Sequence, residues 1–196
     1  SIEYRGSAPP GTNHVTNEGE IAASNDGAFY VTGHATLLGS SQGRLDIEDD
    51  GTLDIGSAAT TRAENSLTTD NEVYLGNFST LVLTLDPNAQ KNDKLNVGPT
   101  IPSSSILYIE QFADLRLVVV NDSKLTAGAK FRLINYASLG AGSPFNGYPN
   151  NHIFSLGLNA YQINYADTAD AGYAYANAIT LTVVDNPALS PAVQQV

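Results

Sequence analysis

Gln42-Gly43-Arg44-Leu45-Asp46-Ile47-Glu48-Asp49-Asp50-Gly51-Thr52-Leu53-Asp54-Ile55 carries one plan twice. A polar residue precedes Gly, and Gly precedes a short segment with apolar residues two apart. Alternation of that kind marks a strand with one buried face, and Gly at the corner admits a backbone conformation that side chains disfavour. Asn17-Glu18-Gly19-Glu20-Ile21-Ala22 and Asp26-Gly27-Ala28-Phe29-Tyr30-Val31 are looser copies. Leu45-Asp46-Ile47 lies eight residues before Leu53-Asp54-Ile55, and Val73-Tyr74-Leu75 lies eight before Leu81-Val82-Leu83. Short strands at such spacing fit a meander or the faces of a coiled solenoid. Stacked solenoid strands bury one continuous apolar column, which no single turn of the chain buries alone.

The last third continues in the same texture. Asp93-Lys94-Leu95-Asn96-Val97 opens it and Ile179-Thr180-Leu181-Thr182-Val183-Val184 closes it. Between them stand Leu115-Arg116-Leu117-Val118-Val119-Val120, Phe131-Arg132-Leu133-Ile134 and Tyr161-Gln162-Ile163-Asn164-Tyr165. Each run is bounded by Gly, Asn, Asp or Pro, and no segment has a helical period. The expected fold is all-β: a right-handed parallel β-helix (β-solenoid) with a C-terminal β cap. A β-sandwich is the alternative, because it uses the same short alternating strands.

Four segments follow from this texture. Residues 1–16 form an N-terminal arm with a possible strand at Ile2-Glu3-Tyr4-Arg5 and a breaker cluster around Pro9-Pro10. Residues 17–92 form the degenerate repeat, residues 93–184 the C-terminal module, and residues 185–196 a tail. The bland expectation for the arm is a loosely held terminus. The functional one is strand addition to a neighbouring copy, which makes Ile2 and Tyr4 the self-assembly candidates.

The order of Asp93, Leu95 and Val97, then Leu115, Leu117 and Val119, then Gly128, Phe131, Leu133, Ile134 and Tyr136, then Phe145, Tyr161, Ile163, Asn164 and Tyr165, ending at Ile179 to Val184, resembles the C-terminal part of bacterial autotransporter passengers. It is also similar to extracellular proteins with autotransporter-associated β-strand repeats. The resemblance covers about half the chain and rests on the order of short motifs. It implies a parallel β-helix exported from a Gram-negative-type cell and placed outside the cell or on its surface. The family's translocator barrel does not follow residue 184 in this sequence.

The formal net charge of −11 argues against nucleic acid and against an anionic membrane surface, since both need clustered Lys and Arg. No apolar run has the length of a membrane-spanning helix, so membrane insertion by this chain is not expected. There is no Cys, hence no disulfide framework and no thiolate metal site. There is no Met either, which suggests a chain that begins after processing or an excised piece.

Candidate chemistry is sparse. Asp49, Asp50 and Asp54 offer hard oxygens for Ca2+ around the Gly51 turn, without the EF-hand spacing; no other cofactor is expected. The structural reading of this stretch is a solvated corner, with Asp46, Glu48 and Asp54 facing outward. Those carboxylates would equally serve a glycosidase-type pair, but the chain has no Trp and few bases to build a sugar groove. His14, His34 and His152 are scattered, and Asn77 and Asn121 head chance glycosylation triplets. Tyr148, Tyr161, Tyr165, Tyr173 and Tyr175 gather late; they suit packing in the cap, or a binding surface with Tyr148, Tyr161 and Tyr165 as its candidates. The loop of residues 139–153 lies beside them. The expected function is a non-enzymatic, exported structural protein for surface display, adhesion or filament assembly. Its partners would be other copies of itself, or a glycan or protein of a host or environmental surface. A carbohydrate-active or carbohydrate-binding β-helix is the alternative.

Overall fold

The computed structural model describes residues 2–4, 13–17, 20–23, 28–31, 34–39, 43–56, 64–98, 105–142, 144–168 and 177–185. The arm's Pro9-Pro10, Tyr173 and Tyr175 and the tail beyond Asp185 lie outside them. The described residues are all-β. In chain order the strands are β1 (Ile2–Tyr4), β2 (Asn13–Asn17), β3 (Glu20–Ala23), β4 (Ala28–Val31), β5 (His34–Gly39), β6 (Arg44–Ile47) and β7 (Thr52–Ile55). There follow β8 (Ser66–Thr69), β9 (Glu72–Leu75), β10 (Thr80–Asp86), β11 (Lys91–Asn92), β12 (Lys94–Val97), β13 (Ile106–Ile109) and β14 (Asp114–Val119). The last are β15 (Lys130–Tyr136), β16 (Ser138–Leu139), β17 (Ile153–Leu156), β18 (Asn159–Thr168) and β19 (Asn177–Val184). No helix among the described residues is long and apolar enough to cross a membrane.

The strands fall into three sheets. Sheet 1 runs β1-β4-β7-β10-β14, sheet 2 runs β2-β5-β8-β12-β15, and sheet 3 runs β3-β6-β9-β13-β16, all in parallel pairings. Successive strands enter sheets 1, 2 and 3 in turn, with β11 a short antiparallel excursion against β10. Beyond β15 the pairing changes. Sheet 2 alone is extended by β19, β18 and β17, each antiparallel to its neighbour. The sheets continue without a break across residues 92 and 93, where the sequence suggests a boundary.

Register stacks like on like. Phe29, Leu53, Leu81 and Leu115 align across sheet 1, as do Val31, Ile55, Leu83 and Leu117. Leu45, Val73 and Leu107 align in sheet 3, and Leu67, Leu95, Ile134 and Ile179 in sheet 2. These columns form one buried core, with the half-buried Leu117 packed against it at the end of its column. Each buried Leu or Ile contributes about 1.5–3 kcal/mol from apolar surface removed from water. Outside the core, sheet 2 carries a polar ladder. Asn96 donates to Thr68 Oγ1 at 3.1 Å, and Asn135 donates to Asn96 Oδ1 at 2.9 Å.

Ile2 pairs with Phe29 and Tyr4 with Val31, so the candidate self-assembly residues occupy the same register as the core columns of sheet 1. Strands β1, β2 and β3 each have a single partner among the described residues.

The corner between sheets 1 and 2 is organised by Asp93, which is wholly buried. Its Oδ1 accepts from the backbone N–H of Glu64 at 3.0 Å, from that of Asn65 at 2.8 Å and from Asn65 Nδ2 at 2.8 Å. Its Oδ2 accepts from Thr84 N at 2.9 Å. Gly56 has φ +122°, and a Cβ there would stand 2.4 Å from Asp93 Oδ2. The corner therefore excludes any side chain at position 56.

Candidate functional site

The most chemically varied surface is the outer face of sheet 3 and the corner that follows it. Strand alternation sends Leu45, Ile47, Val73, Leu75, Leu107 and Ile109 into the core. Arg44, Asp46, Glu72, Tyr74 and Tyr108 take the other face. Register places Arg44 beside Glu72, and Asp46, Tyr74 and Tyr108 in one line.

Arg44 binds this face together. Its Nε lies 2.7 Å from Asp46 Oδ1 and 3.5 Å from Glu72 Oε1, and its guanidinium sits 4.4 Å from the Tyr74 ring centroid. The Tyr74 hydroxyl donates to Glu110 Oε1 at 3.1 Å. Burial first, then the hydrogen bond and charge of Glu110, push the Tyr74 phenol above its ordinary value. The Tyr74 and Tyr108 rings lie 6.1 Å apart at 51°. Tyr108 covers Gly140, where a Cβ would stand 2.2 Å from the ring. The face thus carries two neighbouring tyrosines edged by carboxylates.

Two equivalent turns lead from sheet 3 into sheet 1. Ser79 N donates to Gly76 O and Ala113 N donates to Glu110 O, both at 3.1 Å. Their tips carry Phe78 and Phe112, which are 57% and 43% exposed. The rings stack with centroids 5.5 Å apart and planes within 5°. Phe112 N donates to Asn77 Oδ1 and Phe78 N donates to Phe112 O, which ties the two turns together. The preceding turn carries Asp50 in the place of Phe78, with Gly51 N donating to Glu48 O at 2.8 Å.

The candidate metal ligands are not brought together. Asp49 and Asp50 are exposed at the turn tip, with φ +46° and +65°. Asp54 lies past the corner on β7, between Tyr30 and Val82 in register, and is only 8% exposed. Among the described residues no group of three His, Cys, Asp or Glu is placed to hold a metal ion. The carboxylate set considered for glycoside cleavage is likewise split. Asp46 is 7% exposed and paired with Arg44 in sheet 3, while Asp54 belongs to sheet 1. Asp46 and Asp54 do alternate to the outward faces of their strands, but the expected solvated corner is corrected there: neighbouring strands and Arg44 leave them only 7% and 8% exposed.

The late tyrosines build the cap. Tyr161 is wholly buried, with Phe131 edge-on at 6.1 Å, and Tyr165 is buried too. The Tyr165 hydroxyl accepts from Phe145 N at 3.0 Å and donates to Tyr148 O at 2.9 Å, while Tyr136 donates to Tyr165 O. Neither Tyr161 nor Tyr165 presents a surface to a ligand. Tyr148 is half-buried, 4.9 Å from Phe154 ring to ring. In the loop beside them, Phe145 is buried and Asn146 N donates to Ala113 O at 2.8 Å.

Burial holds the Tyr165 phenol above its ordinary pKa of 10.0, with the Phe145 hydrogen bond opposing in part. A phenol with a raised folded pKa contributes stability that is complete below the unfolded value and lost as pH rises beyond it. Thermal melting should therefore begin to fall above about pH 10. In Tyr165→Phe the fall should be shallower, from a starting stability lower by about 1 kcal/mol through the lost hydrogen bonds. An identical alkaline profile in both proteins would remove Tyr165 from this account.

No protein-family model matches the chain, and neither does any curated protein or solved structure.

The Phe78–Phe112 corner and the Tyr74–Tyr108 pair escape a search for Gly-led strands. A signal exists nonetheless: Val73-Tyr74-Leu75-Gly76-Asn77-Phe78 and Leu107-Tyr108-Ile109-Glu110-Gln111-Phe112 share apolar-Tyr-apolar followed by Phe at the same distance.

Proposed function

We propose that this chain is a right-handed parallel β-solenoid closed at one end by an antiparallel cap. It serves as an exported, non-enzymatic rod for surface display and adhesion. The observation that carries the reading is the cyclic passage of the chain through sheets 1, 2 and 3, ended by β17–β19 on sheet 2. A chain that returns to the same sheet one layer further on lengthens along one axis, and its side faces repeat at strand spacing. The cap strands pair with the β15 edge of the last layer in sheet 2, which left bare would recruit other chains. The outer face of sheet 3 and its aromatic corner are then the displayed surface.

Display is favoured over catalysis because the best-placed carboxylates are committed. Asp46 is held by Arg44, and Glu110 by Tyr74. The resemblance to autotransporter passengers supports export and an extracellular or cell-surface location. Filament growth is the second reading, supported by the single-partner strands β1, β2 and β3. Against it, a neighbour stacked head-to-tail on the capped end would meet three antiparallel strands in sheet 2 where a parallel layer is needed.

Negative-stain microscopy with light scattering on the native protein tests the choice. Monodisperse short rods across a wide concentration range are expected. Concentration-dependent fibres with a regular axial repeat would replace the display reading by the filament one. Cleavage of any glycan in a broad panel would overturn the non-enzymatic part and turn attention to Glu48 and Glu110.

A further inference from the structure

In the exposed Phe78–Phe112 pair, Phe78 stands at a backbone position that favours Gly or a small polar residue. The equivalent place one layer earlier carries Asp50, a residue type that tolerates positive φ. Phe78 has φ +63°. A bulky residue in that region is uncommon, and an exposed ring gains little from burial to offset the strain. The Phe–Phe stack restores part of the cost, but both rings stay largely in water.

The surroundings are acidic. The three stacked turns contribute Glu48, Asp49, Asp50 and Glu110, with Asp114 just beyond, and contain no Lys or Arg. Glu110 accepts from Tyr74, and Asp114 accepts from Asn146 Nδ2 at 3.0 Å. Asp49 and Asp50 are exposed. Arg44 is engaged by Asp46, Glu72 and the Tyr74 ring and lies 3.9 Å from Glu48 Oε1; Arg116 stands two residues past Asp114 on β14. In layer order the Phe78 turn lies between the Phe112 turn, whose ring it stacks on, and the turn of Asp49 and Asp50.

We infer that this corner docks a basic segment of another protein, setting an apolar side chain against Phe78 and Phe112 and Lys or Arg against Asp49, Asp50 and Asp114. Charge complementarity selects this occupant. A cation between a carboxylate and the negative face of an aromatic ring is attracted by both. A second copy of a chain with net charge −11 would bring the same carboxylates against these and be repelled. The inference rests on the display reading and names the partner chemistry of its corner.

The test is an amide-resolved NMR titration of the full chain with a synthetic peptide of Lys-Leu-Lys-Gly repeats. Shifts should gather at residues 48–51, 77–80 and 111–114. Affinity should fall about tenfold as ionic strength rises from roughly 0.02 to 0.2 M, because the contacts are exposed charges. Phe78→Ser with Phe112→Ser should weaken binding about tenfold or more, with the rest of the spectrum unchanged. Asp49→Asn with Asp50→Asn should flatten the salt dependence. Shifts located elsewhere, equal binding of the peptide with Glu in place of Lys, or indifference to the double Phe variant would overturn the inference. So would corner shifts produced by a neutral oligosaccharide such as cellohexaose and not by the peptide. Intact monomeric rods that bind no peptide would sink this inference alone, whereas fibres in the same samples would count against the display reading.

Discussion

Replacing Asp93 by Ala is expected to destabilise the fold by about 4 kcal/mol or more, a large share of a typical domain's stability. The carboxylate accepts four hydrogen bonds at 3.0 Å or less, three of them from backbone N–H groups. Truncation takes the carboxylate from the buried donors of Asn65 and Thr84, each at a cost of roughly 1–3 kcal/mol, and from the part-buried N–H of Glu64. The small side chain also leaves a void in a corner that lacks room even for a Cβ on Gly56. Asp93→Asn should cost nearly as much, because one of its two acceptors becomes an NH2 facing N–H donors. The shift in urea-unfolding midpoint measures both. A loss under about 1 kcal/mol for Asp93→Ala would mean that water or relaxation supplies the corner.

Tyr161→Ala should cost about 3–5 kcal/mol, the range for removing a wholly buried aromatic side chain. Tyr161 sits on β18 between Phe154 at 6.1 Å and Phe131 at 6.1 Å. It therefore joins β17 to the last parallel strand of sheet 2. Its loss should loosen the cap before the parallel sheets and expose the β15 edge, so light scattering should report association together with the lowered midpoint. A destabilised variant that stays monomeric at every concentration would separate Tyr161's packing from any covering role of the cap.

Much of the architecture is legible in the sequence because it is local. Period-two alternation places Leu53 and Ile55, or Leu45 and Ile47, on one face whatever the sheet arrangement. Tyr161, Ile163 and Tyr165 share a face for the same reason, and that face is the inner one. What alternation cannot give is which strand lies beside which. The eight-residue interval from Leu45 to Leu53 joins strands of different sheets, whereas Leu53's neighbour in the column is Leu81. Asp46 and Asp54, alike in local pattern, therefore land on different sheets on either side of the Asp49–Asp50 turn. Asp93 stands in a motif that can be read by eye. Its partners Glu64 and Asn65, however, lie 29 and 28 residues away, and only the closed corner brings them together. The Phe78–Phe112 pair is hidden in the same way: two turns become neighbours only when the strands that carry them stack.

The parallel register of sheet 1 carries the whole account, and the absence of Cys makes it directly testable. Thr52 and Thr80 are register partners, and Asp114 follows Thr80 in the next layer. Neighbouring strands stand about 4.8 Å apart, within disulfide reach, whereas two layers exceed the roughly 7 Å limit. Under mild oxidation, Thr52→Cys with Thr80→Cys should close one intramolecular disulfide readily, and Thr52→Cys with Asp114→Cys should stay reduced. No bond in the first pair, or equal closure in both, would contradict the stacked arrangement and the rod built on it.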